Sequence, residues 1–391
     1  MNLRSSSTSS SEERGARRRG FITVGWVLLW LAVIDIAVDL AFPYPNDPKN
    51  LTPNPMALYL DYGRSMEGRL RRATRADADK TAPITLAGWY EPLTAIDRPA
   101  KPGGTEVTVY GMSHAVRLAE ALQQVSPHYH VRSVAAPGAG TNWSYGAFLR
   151  DQERGESRVA VLAIMSSTLP MIVSPTPMSW NTSFAMPYTA DRFVLRVGEL
   201  ERIVPPYESF PDFVRVFNDP VAWQRALEEF ERTDPFFDSF LVRQSWLDNS
   251  TIYRLIRRGW AQRRDRQWRS EVLTADGYDA ASEPVRVANA IIADFAREAR
   301  AQGIVPVIYV VDSFGYRDQL YRALASTLRR DNIPHLATHS VIDPMNPTGY
   351  LPDSHFTDAN DRLLAQALER VLDRELARAE GASTVAAAVQ F

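Results

Sequence analysis

The chain of 391 residues contains no cysteine. Disulfides, thiolate metal sites and a cysteine nucleophile are therefore excluded. It also lacks charge of one sign, since 44 Lys and Arg stand against 46 Asp and Glu for a formal net charge of −2. That balance gives no electrostatic footprint for nucleic acid. Histidine is scarce, with six in all. His128 and His130 stand two apart before an apolar run with no carboxylate motif beside them. His335 and His339 stand four apart, but Pro334 favours a strand over a helix there. Neither spacing makes a metal site, and no metal or other cofactor is expected. Long hydrophobic runs are absent too, with one exception.

The exception spans residues 21–42, long enough for one bilayer crossing. Arg14, Arg17, Arg18 and Arg19 precede it. By the positive-inside rule they stay on the near side and the rest of the chain is exported. A cleaved signal peptide is the rival reading, but the run exceeds the usual signal core and no small-x-small site follows it. The expected arrangement is a single-pass membrane protein with an extracytoplasmic (periplasmic or extracellular) main domain. Asp35 and Asp39 lie one helical turn apart near the outer end of the run. Two readings stand for them: an interfacial position, where carboxylates stay solvated, or contact with another membrane protein.

The rest divides by composition. Residues 1–20 form a basic, Ser-rich tail, 43–103 a Pro-rich spacer and lead-in, 104–380 the main domain and 381–391 a disordered tail. Within the main domain, apolar runs alternate with amphipathic stretches. Strands are expected near 106–110, 130–136, 158–165, 304–311 and 335–338. Helices are expected near 114–124, 143–153, 284–301 and 319–330, with a final helix after Thr357 as its N-cap. This alternation predicts an α/β fold, a three-layer α/β/α sandwich around a parallel sheet. It breaks at about 170–280, where a Pro-, Ser- and Thr-rich stretch with one strand near 192–197 leads into Arg- and Trp-rich helices. That segment reads as an insertion forming a lid or wall over the site.

Two fragments carry the chemistry. Val107-Thr-Val-Tyr-Gly-Met-Ser113-His-Ala is a strand running straight into Gly-x-Ser. Leu351-Pro-Asp353-Ser-His355 is a loop running into a helix. They supply a hydroxyl, a base and a carboxylate to orient the base. Each residue alone also suits an ordinary turn or surface loop. The joint order and the strand context single them out. A serine on a strand-to-helix turn sits beside free N–H groups that favour developing negative charge. In open α/β sheets the ligand crevice lies at the carboxyl ends of the strands, where Gly138, Ser167 and Asp312 also fall.

On these fragments the chain resembles the SGNH (GDSL-like) hydrolase superfamily, over about 104–168 and 284–376. The resemblance implies that Ser113, in Gly111-Met-Ser113, is the nucleophile. It implies that Gly138, after the second strand, lines the oxyanion hole. Asp353-Ser-His355 corresponds to the family's last block, in the Asp-x-His form of exported polysaccharide-modifying members. Two departures stand out. Met112 replaces the usual acidic residue before the serine. Met165-Ser-Ser167-Thr168 replaces the Gly-x-Asn whose asparagine donates to the oxyanion, so Ser167 or Thr168, or backbone N–H groups alone, must serve. A missing side-chain donor costs on the order of 100-fold in rate.

Other residues keep two readings. Asp312 binds substrate or caps a turn. Trp143 and Tyr145 stack on a sugar ring or pack in the core, and Trp246, Trp260 and Trp268 carry the same ambiguity. His114 is a first-turn helix residue and not the base. The arginines over 257–269 form a solvated helix face or bind an anionic polymer or lipid headgroups. The function implied is that of a serine esterase or O-acetyltransferase acting on an acylated carbohydrate or another small ester, with a membrane-embedded acyl-transfer partner as an option. The alternative is a catalytically impaired scaffold that binds glycan or organises a membrane complex.

Overall fold

The computed structural model describes residues 9–43, 55–73, 87–97, 104–181 and 185–389. Most of the expected spacer at 43–56 lies outside the described residues. In chain order the helices are α1 (Ser9–Ala41), α2 (Pro55–Asp61), α3 (Met66–Ala73), α4 (Ser113–Val125), α5 (Thr141–Arg150), α6 (Phe210–Asn218), α7 (Pro220–Thr233), α8 (Ser239–Val242), α9 (Thr251–Val272), α10 (Glu283–Ala301), α11 (Gln319–Arg330) and α12 (Asp358–Val389). The strands are β1 (Ala95–Asp97), β2 (Thr105–Gly111), β3 (Tyr129–Ala135), β4 (Val159–Met165), β5 (Arg192–Arg196), β6 (Glu199–Ile203), β7 (Leu273–Thr274), β8 (Gly277–Tyr278), β9 (Val305–Val311) and β10 (His335–Ala337). The chain divides into two compact units, Met1–Pro83 with Phe240–Gln262, and Ile84–Ser239 with Arg263–Phe391.

The larger unit is built on a six-stranded sheet in the order β1-β3-β2-β4-β9-β10. β1 pairs antiparallel to β3, and the other pairings are parallel. All seven residues of β4 are buried, as a central parallel strand covered on both faces requires. α4 buries Ala115, Leu118, Ala119 and Leu122, spaced for one helical face. Burying each of those leucines is worth roughly 1.5–3 kcal/mol. α4 and α12 pack together on one side of the sheet, while α5, α10 and α11 form the other layer. The α/β/α sandwich predicted from the alternation is therefore the fold.

The chain winds from β2 to β3 on one side, then crosses to β4 on the other side of β2. The strand order reverses there, and that is where open α/β sheets place their ligand crevice. Ser113 follows β2 at this switch point.

Three features differ from the sequence reading. The edge strand β1 lies in the stretch read as lead-in, and the antiparallel β6 completes a hairpin where one strand was expected. α12 continues through the expected disordered tail to Val389. The insertion is not one body, because its residues 240–262 group with the N-terminal unit.

That N-terminal unit contains the one helical stretch, Arg17–Ala41, that is long and apolar enough to cross a membrane. Its packing centres on charged groups of α9. Buried Arg257 pairs with buried Asp248 at 2.7 Å and donates to the Phe240 and Gly63 carbonyls. A Cβ on Gly63 would lie 1.8 Å from the Arg254 carbonyl oxygen, so only glycine permits that approach.

Gly111 closes the end of β2 against its neighbours. A Cβ there would meet the Ala115 Cβ at 2.5 Å and the Ala163 Cβ at 2.8 Å. Gly111→Ala is predicted to destabilise the fold by about 1–3 kcal/mol through overpacking. Thermal unfolding checks this, and an unchanged Tm would show that the turn before Ser113 has slack.

Candidate active site

β2 delivers Ser113 as the first residue of α4, behind Met112 in extended conformation. The Ser113 hydroxyl donates to His355 Nε2 across 2.6 Å. The opposite nitrogen, His355 Nδ1, lies 3.0 Å from Asp353 Oδ2, and the His355 backbone N–H donates to Asp353 Oδ1 at 3.2 Å. With the proton on Nδ1, the lone pair on Nε2 faces the serine, the tautomer a general base requires. These hydrogen bonds from His355 hold the Asp353 carboxyl below the usual carboxylate range. The three residues that the sequence separates by about 240 positions thus form one hydrogen-bonded chain.

The loop that carries the base is shaped locally. Ser354, between the acid and the base, takes a left-handed φ of 71°. Leu351 N–H donates to the His355 carbonyl at 2.7 Å, and Tyr350 bridges to Phe356. Thr357 N–H and the Asn360 side-chain amide both donate to the Gly349 carbonyl at 3.0 Å.

α4 holds the loop from below. His114 Nε2 lies 3.2 Å from the Ser354 carbonyl, so it carries the proton and donates. Arg117 donates to the Phe356 carbonyl at 3.1 Å and to Asp358 and Asp361, each at 2.7 Å. The carbonyls on both sides of His355 are therefore tied to the helix that begins with the nucleophile. The His114 ring also stacks on the His355 ring, with centroids 4.7 Å apart and planes at 28°. Burial, then the neighbouring His355, pushes the His114 pKa down to about 4. His114 is thus neutral at pH 7 and leaves positive charge to His355. The sequence reading had assigned it only to a first helical turn.

Gly138 lies in the turn after β3 with φ 61°, and Ala136 N–H donates to the Gly111 carbonyl at 3.1 Å. The oxyanion-side turn therefore starts beside the turn of the nucleophile. Ser167 follows β4 in a short 3-10 segment. Its carbonyl accepts from Arg269 at 3.2 Å, and the Ser166 carbonyl accepts from Tyr278 at 2.6 Å. Ser313 N–H donates to Ser166 Oγ at 2.8 Å. The last turn of α9, β8 and the end of β9 fix the backbone of this block.

Two other candidates take different places. Trp143 is buried, donates its indole N–H to the Gly88 carbonyl at 2.9 Å and stacks on Tyr90 at 5.6 Å. It packs the core and has no face for substrate. Asp312 follows β9 as expected, but its carboxylate is buried and turned towards the end of β10. It accepts from Thr338 Oγ1 at 3.1 Å and from His339 Nδ1 at 3.0 Å. Burial raises its pKa, and the His339 contact opposes that shift. This second carboxylate–imidazole pair was not foreseen, and neither side chain reaches the Ser113 hydrogen-bond chain. Among the described residues, no group of three or more His, Asp or Glu is arranged to hold a metal. A cleft of about 750 Å³ lined by Glu199, Asp294, Arg297 and Arg330 sits at the opposite end of the sheet, so its size does not mark the chemistry.

No family model and no curated protein matches the chain. Among solved structures, the chain is similar to a lipolytic protein of the G-D-S-L family from Desulfitobacterium hafniense DCB-2. That likeness has a TM-score of 0.31 and 11% identity, over 68% of this chain and 99% of that one. At this level the functional reading rests on the chain's own geometry.

The depressed His114 pKa sets a pH dependence. The unfolded residue titrates near 6.5 and the folded one at about 4, so between these values the unfolded state binds more protons. The stabilisation is complete above the upper value and is lost as pH falls through the window. Asp361 and Asp234, both raised to about 6 by burial, act in the opposite sense over part of the same range. A difference measurement isolates His114. The stability advantage of wild type over His114→Gln should shrink by roughly 2 kcal/mol between pH 7.5 and pH 5. Urea unfolding at the two pH values checks it, and a pH-independent difference would count against the assignment.

Proposed function

We propose that the chain is a serine-dependent acyl ester hydrolase or O-acyltransferase of SGNH type. Its substrates are ester groups on extracytoplasmic, carbohydrate-type molecules. The observation that carries this reading is the continuous Ser113–His355–Asp353 hydrogen-bond chain at the switch point of the sheet. The same contact counts against an impaired scaffold, for which a splayed triad is expected.

In this mechanism Ser113 Oγ attacks the ester carbonyl carbon while His355 Nε2 takes its proton. The backbone N–H groups of Ser113 and Gly138 stabilise the oxyanion, with Ser167 as the side-chain donor in place of the family's asparagine. Collapse expels the alkoxide, which takes the proton back from His355 and leaves an acyl-serine. Water or a sugar hydroxyl then attacks the acyl carbon, with His355 again accepting the proton. Water completes an esterase cycle and a sugar hydroxyl completes a transfer. Asp353 keeps the imidazole oriented and stabilises the imidazolium.

The extracytoplasmic assignment rests on the arginines before the apolar stretch of α1, which place the main unit on the far side of the bilayer. A sugar acceptor or acyl donor is the partner class that fits, and a membrane-embedded acyl-transfer protein is the corresponding donor for the transferase form.

The test uses the full chain in detergent with a fluorophosphonate probe and p-nitrophenyl acetate. Mass spectrometry should locate the adduct on Ser113. Ser113→Ala and His355→Ala should each lower turnover by about 1,000-fold or more. Asp353→Asn should cost about 10-fold or more, because the wrong tautomer is then stabilised. Absence of labelling in well-folded protein would sink the esterase reading and favour the scaffold.

A further inference from the structure

The two acidic residues in the apolar N-terminal helix have partners within their own unit. Asp35 Oδ1 accepts the Ile252 backbone N–H at 2.8 Å. Asp39 Oδ1 accepts from Thr251 Oγ1 at 2.5 Å and from Arg254 at 2.6 Å. Both carboxylates thus sit at the N-terminus of α9, where free N–H groups and the helix dipole favour negative charge.

This attachment fixes a depth. About 20 residues cross the hydrocarbon layer, so a crossing that starts at Phe21 ends near Leu40. Asp35 then lies roughly 7 Å below the outer boundary, at 1.5 Å per residue. The first turn of α9 is hydrogen-bonded to it and must sit at headgroup level or below.

The exposure pattern of α9 over this stretch is the reverse of that of a helix in water. Arg254 and Arg257 are buried, while Leu255 is 40% and Ile256 59% exposed. Trp260 continues the exposed face, and Trp246, just before α9, is 82% exposed. Beyond Gln262 the exposed positions become polar, with Arg263, Arg266, Gln267 and Ser270. The apolar exposure is confined to the part of the helix tied to α1.

We propose that Trp246, Leu255, Ile256 and Trp260 form a bilayer-docking surface that lies in the outer membrane interface, held at that depth by Asp35 and Asp39. The partner is a lipid surface. Aliphatic side chains enter the acyl boundary, and the tryptophans span the polar–apolar transition that indole favours. The proposal rests on the membrane-spanning reading of α1.

The test exploits the absence of cysteine. Single-cysteine variants of the full chain, Leu29→Cys, Trp246→Cys and Ile256→Cys, are nitroxide-labelled in lipid nanodiscs. Relative collision with oxygen and with a water-soluble nickel chelate then reports depth, with free nitroxide in buffer as the aqueous reference. The labels at 246 and 256 should read about 5–10 Å into the boundary region, and the label at 29 near the bilayer centre. In an Asp35→Ala, Asp39→Ala background the ratio at 256 should fall towards the buffer value. Buffer-like ratios at 246 and 256 with a deep label at 29 would overturn the docking surface and leave the spanning helix standing. A buffer-like ratio at 29 as well would overturn the spanning reading and the docking surface with it.

Discussion

The contact on which the active site depends is the grip of α4 on the backbone around His355. Catalysis needs the base within hydrogen-bond reach of the serine, and small misplacements are costly in rate. Asp353 cannot supply that positioning, since its side chain is 66% exposed and an exposed ion pair contributes little. The loop is instead tied down by His114 and Arg117, which donate to the carbonyls of Ser354 and Phe356. Both donors sit within the first turns of the helix that Ser113 begins, so nucleophile and base are referenced to one rigid element. The left-handed Ser354 costs backbone energy that a free loop would relax. The buried His114 hydrogen bond is the interaction that opposes this relaxation.

Charge balance inside the grip follows from burial. Two stacked imidazoles cannot both be protonated cheaply, and the one with less access to water is the one that stays neutral. His114 is the buried partner, so proton uptake during the reaction falls to His355, which faces the serine. Arg117 adds positive charge close by, but Asp358 and Asp361 neutralise it. The carboxylates at the start of α12 thus hold the loop without leaving an unbalanced cation beside the base.

Much of this was legible in the sequence. Alternating apolar runs define a covered parallel sheet, and the boundaries of β2, α4, β9 and α11 agree with the periodicity to within a residue or two. The order Ser113, Asp353, His355 and its strand context pointed to a site that the fold assembles. What the sequence could not show depends on long-range neighbours. Trp143 follows a glycine loop in either reading, and only the approach of Gly88 and Tyr90 makes it a core residue. Asp312 is placed correctly at a strand end, but the partner that takes its carboxylate lies on β10. His114 looked incidental because nothing local reveals that another histidine will stack on it from 241 residues away.

The arginines of α9 show the same limit in another setting. Read as a stripe, residues 257–269 look like one solvated face, yet a helix's charged side need not face water along its whole length. Arg254 and Arg257 are buried because Asp39, Asp248 and the Gly63 carbonyl meet them there. Once the inner face is taken by charge, the apolar residues of the same turns are left outside. In water that arrangement would be costly, because buried ion pairs bring little net stability and exposed apolar surface brings none. The cost falls if the outer surface is hydrocarbon and headgroup. An inverted helix next to an apolar anchor is therefore itself an argument about the solvent in which that part of the chain folds.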